Sequence, residues 1–145
     1  MNYCLALLLS LLLLSDDFKT TQMQYSRVRN AYSESAAILK QHFVSKNLEL
    51  GKQSIFFRVF KEEKELELWA KSTHGNYVLI KKYPICSASG ELGPKRRMGD
   101  NQVPEGFYHI DRFNPTSSFY LSLGINYPNA SDKIVSKASN LGGDI

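Results

Sequence analysis

Cysteine is almost missing from this 145-residue sequence: only Cys4 and Cys86 occur, too few for a disulfide framework. Metal ligation is poorly provided for as well. The three histidines are His42, His74 and His109; their spacing matches no zinc pattern and no acidic cluster accompanies them. No internal repeat and no low-complexity tract is present. The apolar run from Leu5 to Leu14 is too short to span a bilayer. Lysine and arginine are not gathered into an arm, and no aromatic-interleaved RNA motif occurs, so nucleic acid is not expected as a partner. The charge excess is mild, +4 with a pI near 9.0. It suits an anionic surface such as a bacterial envelope and serves solubility equally well.

What is there fits one ordinary globular domain, with 43% hydrophobic and 22% charged residues. The leucine run sits where the core of a signal peptide sits and has no polar face. Its flanks are irregular: no Lys or Arg precedes it, and Ser15-Asp16-Asp17 is a poor cleavage site. Residues 1–15 are therefore expected to be a signal peptide or an N-terminal anchor, and the only membrane contact. Removal of that segment would leave Cys86 as the lone thiol.

From Asp16 to Gln24 the chain reads as a polar connector. Ser26 to Lys46 carries Val28, Ala31, Tyr32, Ile38, Leu39 and Phe43 at helical spacing. Ser26 is the expected N-cap and Gly51 the stop. Residues 16–52 are thus a connector and an amphipathic helix packed on a sheet. Beyond Gln53 the period becomes two. Ser54–Phe60, Glu65–Lys71 and Tyr77–Ile85 alternate and are joined by the turns Lys61-Glu62-Glu63-Lys64 and Thr73-His74-Gly75-Asn76, which predicts an antiparallel meander. Gly106–Asp111 and Ser118–Ile125 read as two further strands about a turn at Asn114-Pro115-Thr116-Ser117. Asn126 to Ile145 reads as irregular. The fold class is mainly β, α+β, with one N-terminal amphipathic helix.

Between Cys86 and Gly106 lies a long loop containing Gly90, Gly93, Pro94, Gly99, Asp100 and Asn101, and such loops are functional or disordered. Cys86 is a nucleophile only if a base or a positive field lowers its pKa, and at the end of an apolar strand it reads more simply as a buried structural residue. His109 follows the loop and is the histidine to keep in view. Glu62-Glu63 falls in a turn and Glu65/Glu67 on the expected solvent face of a strand. Lys95-Arg96-Arg97 is either a solvated tip or a binder of carboxylates. Asn129-Ala130-Ser131 is a formal glycosylation sequon, a motif of low specificity.

Residues 26–145 resemble the L,D-transpeptidase catalytic domain (YkuD-type), and most closely its YafK-like murein branch. The segments that carry this are SRVRNAY, FFRVFKEEKELELWAK, YPICSASGELGPK, GDNQVPEGFYHI, NPTSSFYLSLGINYPNASD and the terminal GGDI. PEG alone would say little; PEGFY between GELGPK and NPTSSFYLSLGINYPN is specific.

The resemblance implies export to the periplasm or cell envelope of a bacterium and work in peptidoglycan biosynthesis. Members use a cysteine nucleophile with a histidine base on stem peptides, forming an acyl-enzyme. An amine of another stem, an envelope lipoprotein or water then accepts the acyl group, without metal or organic cofactor. In this branch the catalytic residues belong to an Ile-His-Gly … Ser-x-Gly-Cys element following the segment that matches Gly142-Gly143-Asp144-Ile145. Neither Cys86 nor any histidine here occupies those positions. The resemblance thus implies that 53–145 is an incomplete domain, inactive as it stands, with an unpaired sheet edge, an uncovered apolar face and marginal stability. Lys95, Arg97, Gln102, Pro104, Gly106, Asn126 and Tyr127 are the expected groove residues. An exported module that binds peptidoglycan or an envelope partner without chemistry is the alternative.

Overall fold

The computed structural model describes residues 18–145; the expected export or anchor segment, residues 1–15, and Cys4 within it lie outside the described residues. Helix α1 (Phe18–Gln22) stands where a polar connector was expected. One aromatic residue anchors it, Phe18 meeting the Phe113 ring edge-on at 4.7 Å. Helix α2 (Ser26–Val44) follows. Its N-cap is Tyr25, in extended conformation and without a side-chain cap bond, so Ser26 is already helical rather than the cap. Phe43 is buried and Leu39 packs beside it, whereas Tyr32 and Ile38, at 46% and 52% exposure, lie off the packed face. Burial of Phe43 contributes about 2–3 kcal/mol.

The meander forms as its alternation predicts. Strands β1 (Ile55–Phe60), β2 (Glu65–Lys71) and β3 (Tyr77–Pro84) are antiparallel in that order, with β2 central. Gly75, at φ +90°, makes the turn that joins β2 to β3. Leu68 and Ala70 of β2, Ile80 of β3, Leu48 and Phe43 make the buried core. A register shift between Leu68 and Trp69 interrupts the β2–β3 ladder.

The opposite face of β2 is not the solvated face expected. Glu67 is buried, because Arg58 (3.5 Å) and Lys82 (3.1 Å) pair with it and the Trp69 indole N–H donates to it at 2.8 Å. Long side chains of the same sheet lie over it. The Trp69 bond, then Lys82, hold its pKa below the ordinary value.

Strands β4 (Ile110–Asn114) and β5 (Ser122–Ile125) form a separate antiparallel pair. Both start later than expected. Residues 103–109 are held by side chains instead of a ladder, with Asn126 N to His109 O (3.1 Å) the single rung continuing the pairing. Ser117 to Tyr120 is a turn, with Tyr120 at φ +77°. Within the stretch expected to be irregular, helix α3 (Ala130–Val135) is closed by a capping box. The Asn129 side chain accepts from Asp132 N, and the Asp132 carboxylate accepts from Asn129 N.

The architecture of the described residues is therefore α+β, with two small antiparallel sheets and no closed barrel among them. Ile55, Phe57 and Val59 lie on the core side of the meander yet are 51%, 36% and 53% exposed, which leaves that part of β1 uncovered. Among the described residues no helix is long and apolar enough to cross a membrane.

Candidate functional site: a locked loop and the cleft it walls

The basic loop is organised around one carboxylate. Asp100 Oδ2 accepts from the backbone N–H groups of Arg96 (2.8 Å) and Arg97 (2.9 Å), and Oδ1 from Gln102 N (3.1 Å). The Lys95 ammonium completes the set at 2.7 Å and also donates to Arg97 O at 3.0 Å. Both side chains are nearly covered, at 8% and 12% exposure. The Lys95 hydrogen bond, aided by the three amides, holds the Asp100 carboxyl well below the usual carboxylate range despite its desolvation. Lys95 is thus a strut of the loop and not a free cation for ligand. The side chains of Arg96 and Arg97 remain exposed.

A second anchor fixes the segment Val103–Gly106. Glu105 accepts from Gly93 N (2.9 Å) and from the Lys61 ammonium (2.9 Å). Lys61 donates also to Gly93 O (2.7 Å) and Val103 O (3.3 Å), tying the β1–β2 turn to both limbs of the loop. The Lys61 bond keeps the Glu105 pKa low. Gln102 Oε1 accepts from Glu91 N (3.0 Å) and lies against Gly90, where a Cβ would meet that oxygen and Asn101 O.

A third anchor comes from the C-terminal stretch. Tyr108 donates to Asp132 at 3.0 Å, Asn129 Nδ2 to Phe107 O at 3.0 Å, and His109 N to Asn126 Oδ1 at 2.8 Å. Tyr127 is buried, with its hydroxyl on Leu141 O (3.2 Å) and its ring 6.3 Å from that of Tyr108. Partial burial, with the Asp132 carboxylate next to it, pushes the Tyr108 phenol up to about 12.

These anchors hold residues 103–110 as one wall of a cleft of about 770 Å³, with β1 as the other wall. Of the expected groove residues, Pro104 and Gly106 line it. Lys95, Gln102, Asn126 and Tyr127 stand behind the wall and brace it, and Arg97 is not among the lining residues. His109 lines the cleft; Glu62 and Glu63 close one end. A second, more apolar cleft of about 690 Å³ shares Ile55, Phe57, Val59, Ile110 and Ile125 with the first.

Cys86 corrects one expectation. It is exposed, just past the end of β3, rather than a buried strand residue. Its thiol has no hydrogen-bond partner among the described residues, and no histidine is joined to it. Among the described residues no group of His, Cys, Asp and Glu is placed to hold a metal ion. Cys86 is not among the residues that line the cleft.

Of the residues that build the wall, sequence placed Glu105 in the expected groove segment Pro104-Glu105-Gly106, Asp100 in the loop and Lys61 in a turn. It assigned a bracing role to none of them, nor to Tyr108 or Asp132. For Asp132 the sequence held an unused signal, its capping-box spacing from Asn129 in a stretch expected to be irregular. The others take partners both near in sequence, as Asp100 does with Gln102 N, and far from it, as Lys61 does with Glu105. Many of those partners are backbone atoms, which no residue pattern announces.

Comparison with known proteins supplies the remaining constraint. The chain is 43% identical over 81 residues to "Putative L,D-transpeptidase YafK" of Escherichia coli (strain K12), and to the protein of that name in Escherichia coli O157:H7. The matched stretch covers 54% of this chain and 32% of those relatives, so the chain spans about a third of the length of the curated proteins it matches. That identity supports an L,D-transpeptidase-like family. No family model matches the chain, and no solved structure does.

Proposed function

We propose that this chain supplies the scaffold and part of the substrate groove of an exported cell-envelope protein of the L,D-transpeptidase family, whose substrates are peptidoglycan stem peptides. The observation that carries the reading is the 43% identity to the YafK proteins. The braced wall through Pro104 and Gly106 gives it a place to act. In the whole protein a histidine takes the proton of a cysteine thiol as the sulfur attacks a stem-peptide carbonyl. The peptide C–N bond breaks and the departing amine takes that proton. An amine of a second stem or of an envelope lipoprotein then attacks the thioester, forming the new amide and releasing the thiol. Within the described residues Cys86 has neither base nor donor set around it, so the chain by itself is read as inactive. Incubation of the purified chain with tetrapeptide-stem muropeptides, followed by chromatography, is expected to yield no crosslinked or trimmed product. Turnover that disappears in Cys86→Ala overturns this.

A second reading, a non-catalytic module that binds peptidoglycan, is favoured by one feature. The wall is locked entirely by groups of this chain, through Asp100, Glu105 and Tyr108. Saturable retention on purified sacculi, weakened by Gly106→Val, selects this reading; absence of retention selects the first.

A further inference from the structure

Among the described residues β1 is an edge strand, and its hydrogen-bonding direction follows from its register. Ile55 is opposite Ala70, and Lys71 N donates to Ser54 O at 2.9 Å. Bonded pairs alternate along an antiparallel ladder, so Phe56, Arg58 and Phe60 bond to β2. The N–H and C=O groups of Ile55, Phe57 and Val59 point the other way, and no backbone bond from them is present among the described residues. The cleft beside β1 is lined both by Ile55, Phe57 and Val59 from one face and by Phe56 and Phe60 from the other. It therefore runs along the strand's open edge. Just past the C-terminal end of β1, Glu62 and Glu63 are exposed, line the same cleft and make no ion pair among the described residues.

We propose that the outer edge of β1 is a strand-addition site for an extended polypeptide that pairs antiparallel and places a cationic group, near its own N-terminal end, against Glu62 and Glu63. Antiparallel addition brings the incoming N-terminus to the C-terminal end of β1, where those carboxylates lie. Residues of the added strand opposite Ile55, Phe57 and Val59 turn their N–H groups toward β1 and their side chains onto its uncovered apolar face, next to Ile110 and Ile125. Main-chain bonds supply affinity, and the alternating side chains and the cation supply selectivity. The inference goes beyond the peptidoglycan reading: it concerns the β1 edge and an all-L polypeptide, and stands whether or not the chain acts on stem peptides.

The probe is a fluorescent, acetylated peptide with lysine first and alternating valine and threonine after it, followed by anisotropy. Backbone N-methylation at the valines, whose N–H groups face β1, should weaken binding at least about tenfold, while methylation at the threonines should not. Phe57→Pro removes an outward N–H without breaking the β1–β2 ladder. It should weaken binding more than Phe57→Ala, which keeps that N–H. If Phe57→Pro fails to fold, the two methylated peptides decide alone. Replacing Glu62 and Glu63 together by Gln should weaken the lysine peptide and spare its norleucine analogue. Equal affinity of both methylated peptides, or dimerisation of the chain through β1 with no peptide binding, overturns the proposal. Absence of sacculus retention with peptide binding intact counts against the non-catalytic peptidoglycan-binding module alone and leaves the strand-addition site standing.

Discussion

The meander and the region after it are held together in different ways. In β1–β3 with α2, five buried apolar side chains meet in one cluster, Phe43, Leu48, Leu68, Ala70 and Ile80. From Gly90 to Asp132 only Tyr127 is a buried apolar residue, while Lys95, Ser117 and Asp132 are buried polar ones. The first region relies on the non-directional removal of apolar surface from water. The second relies on directed bonds to carboxylates, each of which demands one geometry. One is tolerant of wording and sensitive to volume; the other is the reverse.

The strongest test of the contrast is Phe43→Ala. It leaves a cavity beside Leu68 and Ala70 and should cost about 3–4 kcal/mol, read by chemical denaturation. The bonds around Asp100 should survive in the residual folded population. Asp100→Ala should do the opposite, leaving global unfolding little changed while Lys95 and three amides lose their acceptor. Hydrogen exchange at Arg96, Arg97 and Gln102 should then accelerate at least about tenfold.

Acid should load the two regions unequally without mutation. Asp100 and Glu105 have folded-state pKa values below their ordinary ones. Their contribution is present above the ordinary carboxylate range and is lost as pH falls through the depressed values. Glu67 of β2 is lowered too, so acid removes one such contribution from the meander and two from residues 90–106. Chemical shifts of the loop should change more than those of the apolar cluster, and equal changes would erase the distinction. In alkali the sign reverses. Tyr108, raised to about 12, favours the folded state up to the ordinary phenol range and loses that contribution as pH climbs toward 12. Tyrosinate absorbance follows it. Tyr108→Phe is the smallest perturbation, under about 1 kcal/mol, because Asp132 keeps its bond to Asn129 N.

How much the sequence disclosed follows the same division. Period-two alternation from Ile55 to Lys71 placed two strands within a residue of their ends, because burial on one face leaves a mark on every second residue. The buried state of Glu67 left none, since it depends on Arg58, Trp69 and Lys82 arriving over it from three strands. Pro104 and Gly106, named through family resemblance, line the cleft beside β1. Lys95 was assigned there too, but its charge is spent inside the loop on Asp100. A cation's role is set by which carboxylate lies within reach, and a linear sequence does not state distances between loops.

Arg27 connects the ends of the described chain. From the second residue of α2 it donates to Ser117 O at 2.7 Å and Tyr120 O at 3.1 Å, across 90 and 93 positions. Shorter links bring the two partners closer, Phe43 onto the meander and Lys61 onto the loop before β4. The entropy of closing the longest loop must still be met before the Arg27 bonds form. The meander can assemble from neighbouring strands while the β4–β5 hairpin is still undocked. Order of assembly is thereby built into the chain: the hairpin should be the last part to settle on the helix and the first to leave it.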